Sequence, residues 1–330
     1  MEINGGMEND RGPAGDGDLG IGRSTETDGC LAVRVRTENG QAHTRISAER
    51  LGELVHRIGG ADDHFLVVQR IPDRPGLFIQ VAHEPRGVYE FQHRTGSVPH
   101  MWVTEVTDPG LVADVMVRWA RQERDWDAGV TWRRDELAPP EEVPAPDPRA
   151  AGRAEQYVCE LLQDGYLGID ELVRETVYLM EDVLSPAQAR RIVERLWLER
   201  VDAQETWTAP TGPDRLERAF AALERTGIVA RENFACCHGC GMTEIGAQAD
   251  SVQGARGFVF FHHQGTRGAA EGGGLTLYYG GFDDSARTTT AVGHEVVAAL
   301  GAAGLPTDWD GDPAKAIEVT PLTWHKRLTG

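Results

Sequence analysis

The sequence predicts an α+β protein: an N-terminal antiparallel sheet with two helices, then a C-terminal helical segment packed on a mixed β-sheet. Three observations predict it. Strand-length apolar runs separated by Pro and Gly fill residues 30–138. A stretch with five prolines and no apolar pattern, APPEEVPAPDPRA, then interrupts the chain. Helical periodicity follows from residue 151 and gives way after 226 to short, strongly apolar runs.

Residues 1–29 are Gly- and Asp-rich and offer almost nothing to bury, so they are read as a disordered tail. Within 30–138, LAVRVRTENGQAHTRIS reads as two strands joined at Asn39-Gly40, the dipeptide that suits a tight hairpin turn. AERLGELVHRIGG fits a helix with Leu51, Leu54 and Val55 on one face, ended by Gly59-Gly60. HFLVVQRI, GLFIQVAHE, GVYEFQHR and HMWVTEVT follow as an antiparallel meander. DPGLVADVMVRWARQERDW is an amphipathic helix, and GVTWRRDEL a closing strand. Residues 139–150 form the linker.

Helix caps are readable in 151–225. Ser185-Pro186-Ala187-Gln188 is a capping box with proline at the first helical position, and Asp214 with Glu217 reads as a second box. Ile192/Leu196 and Leu216/Phe220/Leu223 supply the buried stripes. In 226–330, GIVAR, GFVFFHH, LTLYYG and AIEV are strands, with GTRGAAEGGG as a Gly-rich connector. GFVFFHH is apolar on both faces, as a strand covered on both sides requires, and LTLYYG is its antiparallel neighbour. A helix over SARTTTAVGHEVVAALGAAGLP precedes AIEV, and this strand–helix–strand step implies a parallel pair.

Bulk properties exclude several functions. The formal charge is −19, no Lys/Arg cluster appears, and nucleic-acid or anionic-membrane binding through charge is therefore not expected. No apolar run is long enough for a membrane span, and the N-terminus has no secretory h-region, which points to the cytoplasm. An acidic surface would suit a basic partner, such as a protein, without naming one. Five cysteines in such a chain read as reduced thiols or metal ligands. Cys30 and Cys159 are expected to be ordinarily buried, and His43, His64, His83, His93 and His100 to be surface or hydrogen-bonded residues. No phosphate-cradling or nucleophile-elbow motif is present. DWDGD at 308–312 lacks the glutamate of a calcium loop and reads as a turn.

The chemistry concentrates in FACCHGCG. Cys237-His238-Gly239-Cys240-Gly241 has the spacing of a zinc knuckle, in which two thiolates share one tetrahedral ion across a tight turn. Gly241 is expected to take the left-handed conformation there. Cys236, His238 and the pair His262/His263 are candidates for the remaining ligands, and alternation along GFVFFHH lets only one of that pair face the cluster. The favoured constellation is Cys236, Cys237, Cys240 and His262 around zinc. Three readings compete: a thiol–disulfide pair at Cys237/Cys240, a catalytic cysteine beside His238 or His262, and plain unligated thiols.

The stretch from about 151 to 328 resembles an actinobacterial family known as domain of unknown function 6891. AFAALERTGIVARENFACCHGCG, GFVFFHHQGT, GLTLYYG and GLPTDWDGDPAKAIEV carry the resemblance. The family's motif, N-F-x-C-C-x-x-C-G followed by F-F-H, maps onto Cys236, Cys237, Cys240 and His262, and leaves His238 and His263 at variable positions. It implies no activity. Residues 30–138 resemble small immunity proteins of bacterial toxin systems, through the strand-rich layout and the ending LVADVMVRWARQERDWDAGVTW. The expectation is a binding or interaction module with a structural zinc site.

Overall fold

Apolar side chains recur at every second position over much of residues 33–106, the period of a pleated strand. The computed structural model turns that alternation into one antiparallel sheet. The structure describes residues 29–96, 100–138, 142–181, 183–207 and 209–328. The expected tail, apart from residue 29, lies outside the described residues, as do 139–141 of the expected linker. The chain divides into two units, the first ending at Val143 and the second spanning Pro144–Leu328.

In the first unit, β1 (Val33–Thr37), β2 (Ala42–Thr44), β3 (Phe65–Arg70), β4 (Phe78–His83), β5 (Tyr89–Arg94), β6 (His100–Val106) and β7 (Arg133–Glu136) lie in the order β2-β1-β3-β4-β5-β6-β7. The hairpin at Asn39-Gly40 forms as expected between β1 and β2. Register aligns Val35 with Val68, Val68 with Ile79, and Val81 with Phe91, so these side chains share one face. That face is covered by α1 (Ala48–Arg57) and α2 (Pro109–Ala120), which bury Leu51, Leu54 and Val55, and Val112, Val115, Met116 and Trp119. The second helix is shorter than expected: it stops at Ala120, and Gln122 is left-handed at φ 58°. The polar run after Arg121 has no apolar face to hold another turn.

His93 corrects the surface reading. It is 5% exposed, with its ring edge-on to Trp126 and Trp132 at 4.9 and 4.5 Å. Burial, with a smaller contribution from His100, holds its pKa down to about 4. The expected burial of Cys30 and Cys159 is also corrected, since both are exposed. Cys159 sits one residue past Val158, about 100° around the helix from the Ala154/Val158/Leu162 stripe.

In the second unit, α3 (Pro148–Asp164), α4 (Ile169–Leu179) and α5 (Pro186–Glu205) form a helical layer around Leu172, Val193, Trp197 and Val201. The Ser185/Gln188 capping box closes in both directions, at 3.2 and 2.9 Å. The second box is shifted: Thr211 caps α6 (Gly212–Glu224), and Asp214 is its third helical residue rather than the cap. Thr211 precedes Pro213 and can start the helix one turn earlier.

A five-stranded sheet follows, in the order β11-β12-β10-β9-β8, from β8 (Ile228–Arg231), β9 (Gly257–Phe260), β10 (Leu275–Gly281), β11 (Thr307–Asp308) and β12 (Ile317–Val319). It is mixed, as expected, but the parallel pair is β8–β9, and β10–β12 is antiparallel. The expected crossover fails for a definite reason. After α9 (Ala286–Ala302) the chain enters the short β11, then reverses through the turn at Asp310–Asp312 before β12. Val259 and Phe261 face α6 and α9, whereas Phe258 and Phe260 face Val229 and Ile245, so β9 is covered on both sides.

Two helices stand where none was expected. α7 (His238–Glu244) follows β8 and runs into a 3-10 turn at Ile245–Ser251. α8 (His263–Ala270) occupies the supposed Gly-rich connector. Gly265 and Gly268 mask its helical signal; burial of Thr266 and Ala269 stabilises it instead. The parallel strands β8 and β9 thus each lead into a helix at the same edge of the sheet.

Candidate metal centre

Cys236 and Cys237 are adjacent, and in an extended chain adjacent side chains point apart. Here their sulfurs are 3.8 Å apart. With Cys240, all three sulfurs lie within 4.8 Å of one another. The backbone before them sets where the trio sits against the neighbouring segment. Asn233 and Ala235 are both left-handed, at φ 50° and 59°, a conformation uncommon for residues other than glycine.

The neighbouring segment holds this bend. The Phe234 N–H donates to the Phe261 carbonyl at 2.7 Å, and the His263 N–H to the Ala235 carbonyl at 3.1 Å. The hydroxyl of Thr266, fully buried on α8, donates to Asn233 Oδ1 at 2.6 Å. Cys237 then sits in extended conformation at the start of α7, where its carbonyl accepts from the Gly241 N–H at 3.0 Å.

The left-handed Gly241 expected of a knuckle is corrected: it lies within α7. Its glycine identity has a steric origin. A Cβ there would collide with Phe260 Cε2 and come within 2.7 Å of Cζ. The cysteine loop is therefore a helix laid directly on β9.

Electrostatics single out one thiol. Cys237 is held below the ordinary thiol pKa, first by the Cys240 backbone N–H and then by the Cys236 and Cys240 thiols. Cys240 is pushed up to about 12 by the neighbouring Cys236 and Cys237 sulfurs. Three thiolates this close repel one another, and a cation among them removes that penalty and deprotonates all three.

Of the predicted site residues, Cys236, Cys237 and Cys240 are brought together. His262 is not among the donors that lie within 4.8 Å of one another, and it is 8% exposed. It is the N-cap of α8, where its Nδ1 accepts from the Gly265 N–H at 3.1 Å. His238 stacks on Tyr278 at 4.2 Å and His262 on the same ring at 5.4 Å. Burial lowers the pKa of His262, aided by His238 and His263. Sequence reasoning missed Asn233, Thr266 and Tyr278. Only the first left a signal, since Asn tolerates the left-handed region; Ala235 leaves none.

The second unit is thus a mixed-sheet α+β domain presenting three convergent thiols where two parallel strands end. The chain belongs to the family described as domain of unknown function (DUF6891), whose model matches residues 147–328, starting at the Asp147 cap of α3. No curated protein and no solved structure matches the chain. Among the described residues, no helix is long and apolar enough to cross a membrane.

Proposed function

We propose that the second unit is a metal-binding module in which Cys236, Cys237 and Cys240 hold zinc as thiolates, with His262 as the fourth donor. One observation carries the reading. Zinc–sulfur bonds of about 2.3 Å set the sulfur–sulfur edge of a tetrahedron near ~3.8 Å. The Cys236–Cys237 separation is 3.8 Å, and the trio follows a bend held by two left-handed residues that are not glycine. Backbone strain of that kind persists where surrounding structure over-determines it. The ion would tie the start of α7 to the β9–α8 segment, a structural role in an interaction module.

A thiol–disulfide role for Cys237 and Cys240 draws support from their opposed pKa shifts. It leaves Cys236 without a task, although its sulfur is held against Cys237. Metal analysis of purified full-length protein separates the two. The metal reading expects about one equivalent of zinc per chain, and X-ray absorption showing roughly three sulfurs and one nitrogen. Less than about a tenth of an equivalent after zinc loading and desalting under reducing conditions would refute it.

A further inference from the structure

Neutral imidazole has one nitrogen lone pair to give; the other nitrogen carries the proton. At His262 that lone pair is committed. Nδ1 accepts from the Gly265 N–H, which places the ring proton on Nε2. A metal bond from Nε2 would require the proton on Nδ1, and Nδ1 then could not accept from Gly265. The ring stays neutral in both arrangements, and only the position of the proton differs. Capping α8 and ligating the ion are therefore mutually exclusive at this side chain.

We propose that His262 alternates between these tasks, so that occupancy of the three-thiol site controls the order of α8. This rests on the metal-binding reading and adds the regulation of the same site. Three observations place the exchange. His262 and His238 stack on one Tyr278 ring, and His238 lies between Cys237 and Cys240. The His263 N–H is bonded to the Ala235 carbonyl, so α8 starts against the residue preceding Cys236. α8 is eight residues long and contains Gly265 and Gly268, so loss of its cap acts on a helix of low intrinsic stability.

α8 also passes the change onward. Arg267 bridges Asp164 at 2.8 Å and Glu160 at 3.3 Å, both on α3. An uncapped first turn loosens that clasp, and the helical layer registers whether the ion is bound. The site would then act as a metal-responsive element as well as a staple.

The test adds zinc to the metal-free full chain and follows the His262 ring nitrogens by NMR, with amide hydrogen exchange over 263–270. The expected result is a shift from the Nε2–H to the Nδ1–H form, with exchange at Gly265 faster by roughly fivefold, the scale of losing one cap. His262→Asn supplies the second arm, because asparagine caps well and has no imidazole. In that variant α8 stays protected, zinc affinity falls by roughly tenfold or more, and exchange at Gly265 ignores zinc. One equivalent of zinc bound with an unchanged His262 ring, or with Gly265 exchange no faster, overturns the exchange and leaves the metal site standing. Absence of zinc binding removes both.

Discussion

Gly241→Ala and Gly239→Ala, two residues apart on α7, should move stability in opposite directions. At a helical position open to solvent, replacing glycine with alanine stabilises by up to about 1 kcal/mol, less in the first turn. Gly239 is such a position, since an added Cβ meets nothing within 4 Å. At Gly241 the same backbone gain is opposed by overlap with Phe260, whose Cζ would lie 2.7 Å from the new Cβ. Phe260 is fully buried, with Phe234, Tyr278 and Phe258 at centroid distances of 5.8, 5.6 and 6.1 Å, so its ring has little room to retreat. Overpacking of this kind costs about 1–3 kcal/mol, and the tight surround puts it near the upper end. The net loss is about 2 kcal/mol, or more than tenfold in the local opening equilibrium. Hydrogen exchange over α7 and β9 by mass spectrometry reads this unit separately from the first. Equal protection of the two variants would refute the steric account of Gly241 and restore a backbone reason for the glycine.

Burial pushes Asp164 up to about 6 although Arg267 is 2.8 Å away, so the folded chain retains a proton that the unfolded chain releases near pH ~4. That contribution to stability is complete below about pH 4 and lost as pH rises through about 6; Asp164→Asn should flatten the urea-midpoint profile across that window, and an unchanged slope would contradict it. Thr266→Val leaves Asn233 Oδ1 without its donor, at about 1–2 kcal/mol, and frees the left-handed bend that sets the cysteine trio against the His262 segment. Zinc affinity should fall several-fold and recover in Thr266→Ser, whereas equal affinities in Val, Ser and wild-type chains would show that the bend is held by other means.

Features whose cause is local were legible. The Asn39-Gly40 hairpin needs only two residues able to take a tight turn, and the Ser185/Gln188 box needs only a hydroxyl and an amide three residues apart. The double-sided burial of β9 was legible for the same reason, since Phe258 and Phe260 alternate with Val259 and Phe261. Features set by tertiary contact were not. The direction of β12 depends on the two-residue β11, too short for any hydrophobic period. α8 depends on burial of Thr266 and Ala269 against its glycines, and Gly241 on a ring that arrives from another strand.

The candidate metal centre divides along the same line. Spacing identifies which donor atoms a chain owns, so the three cysteines could be read from FACCHGC. It does not show the bend that carries the trio back to the 261–266 segment, because Ala235 carries no preference for the left-handed region and adopts it under bonds from that segment. Nor does it show whether a donor is already engaged. On the proposed reading, a cysteine sulfur in this cluster gives up a proton to bind an ion, whereas His262 gives up a helix cap. The zinc affinity of this site is then, on that reading, set by α8 as much as by sulfur. A second cap acceptor introduced for the Gly265 N–H would release His262 and tighten zinc binding, without any change to the three thiols.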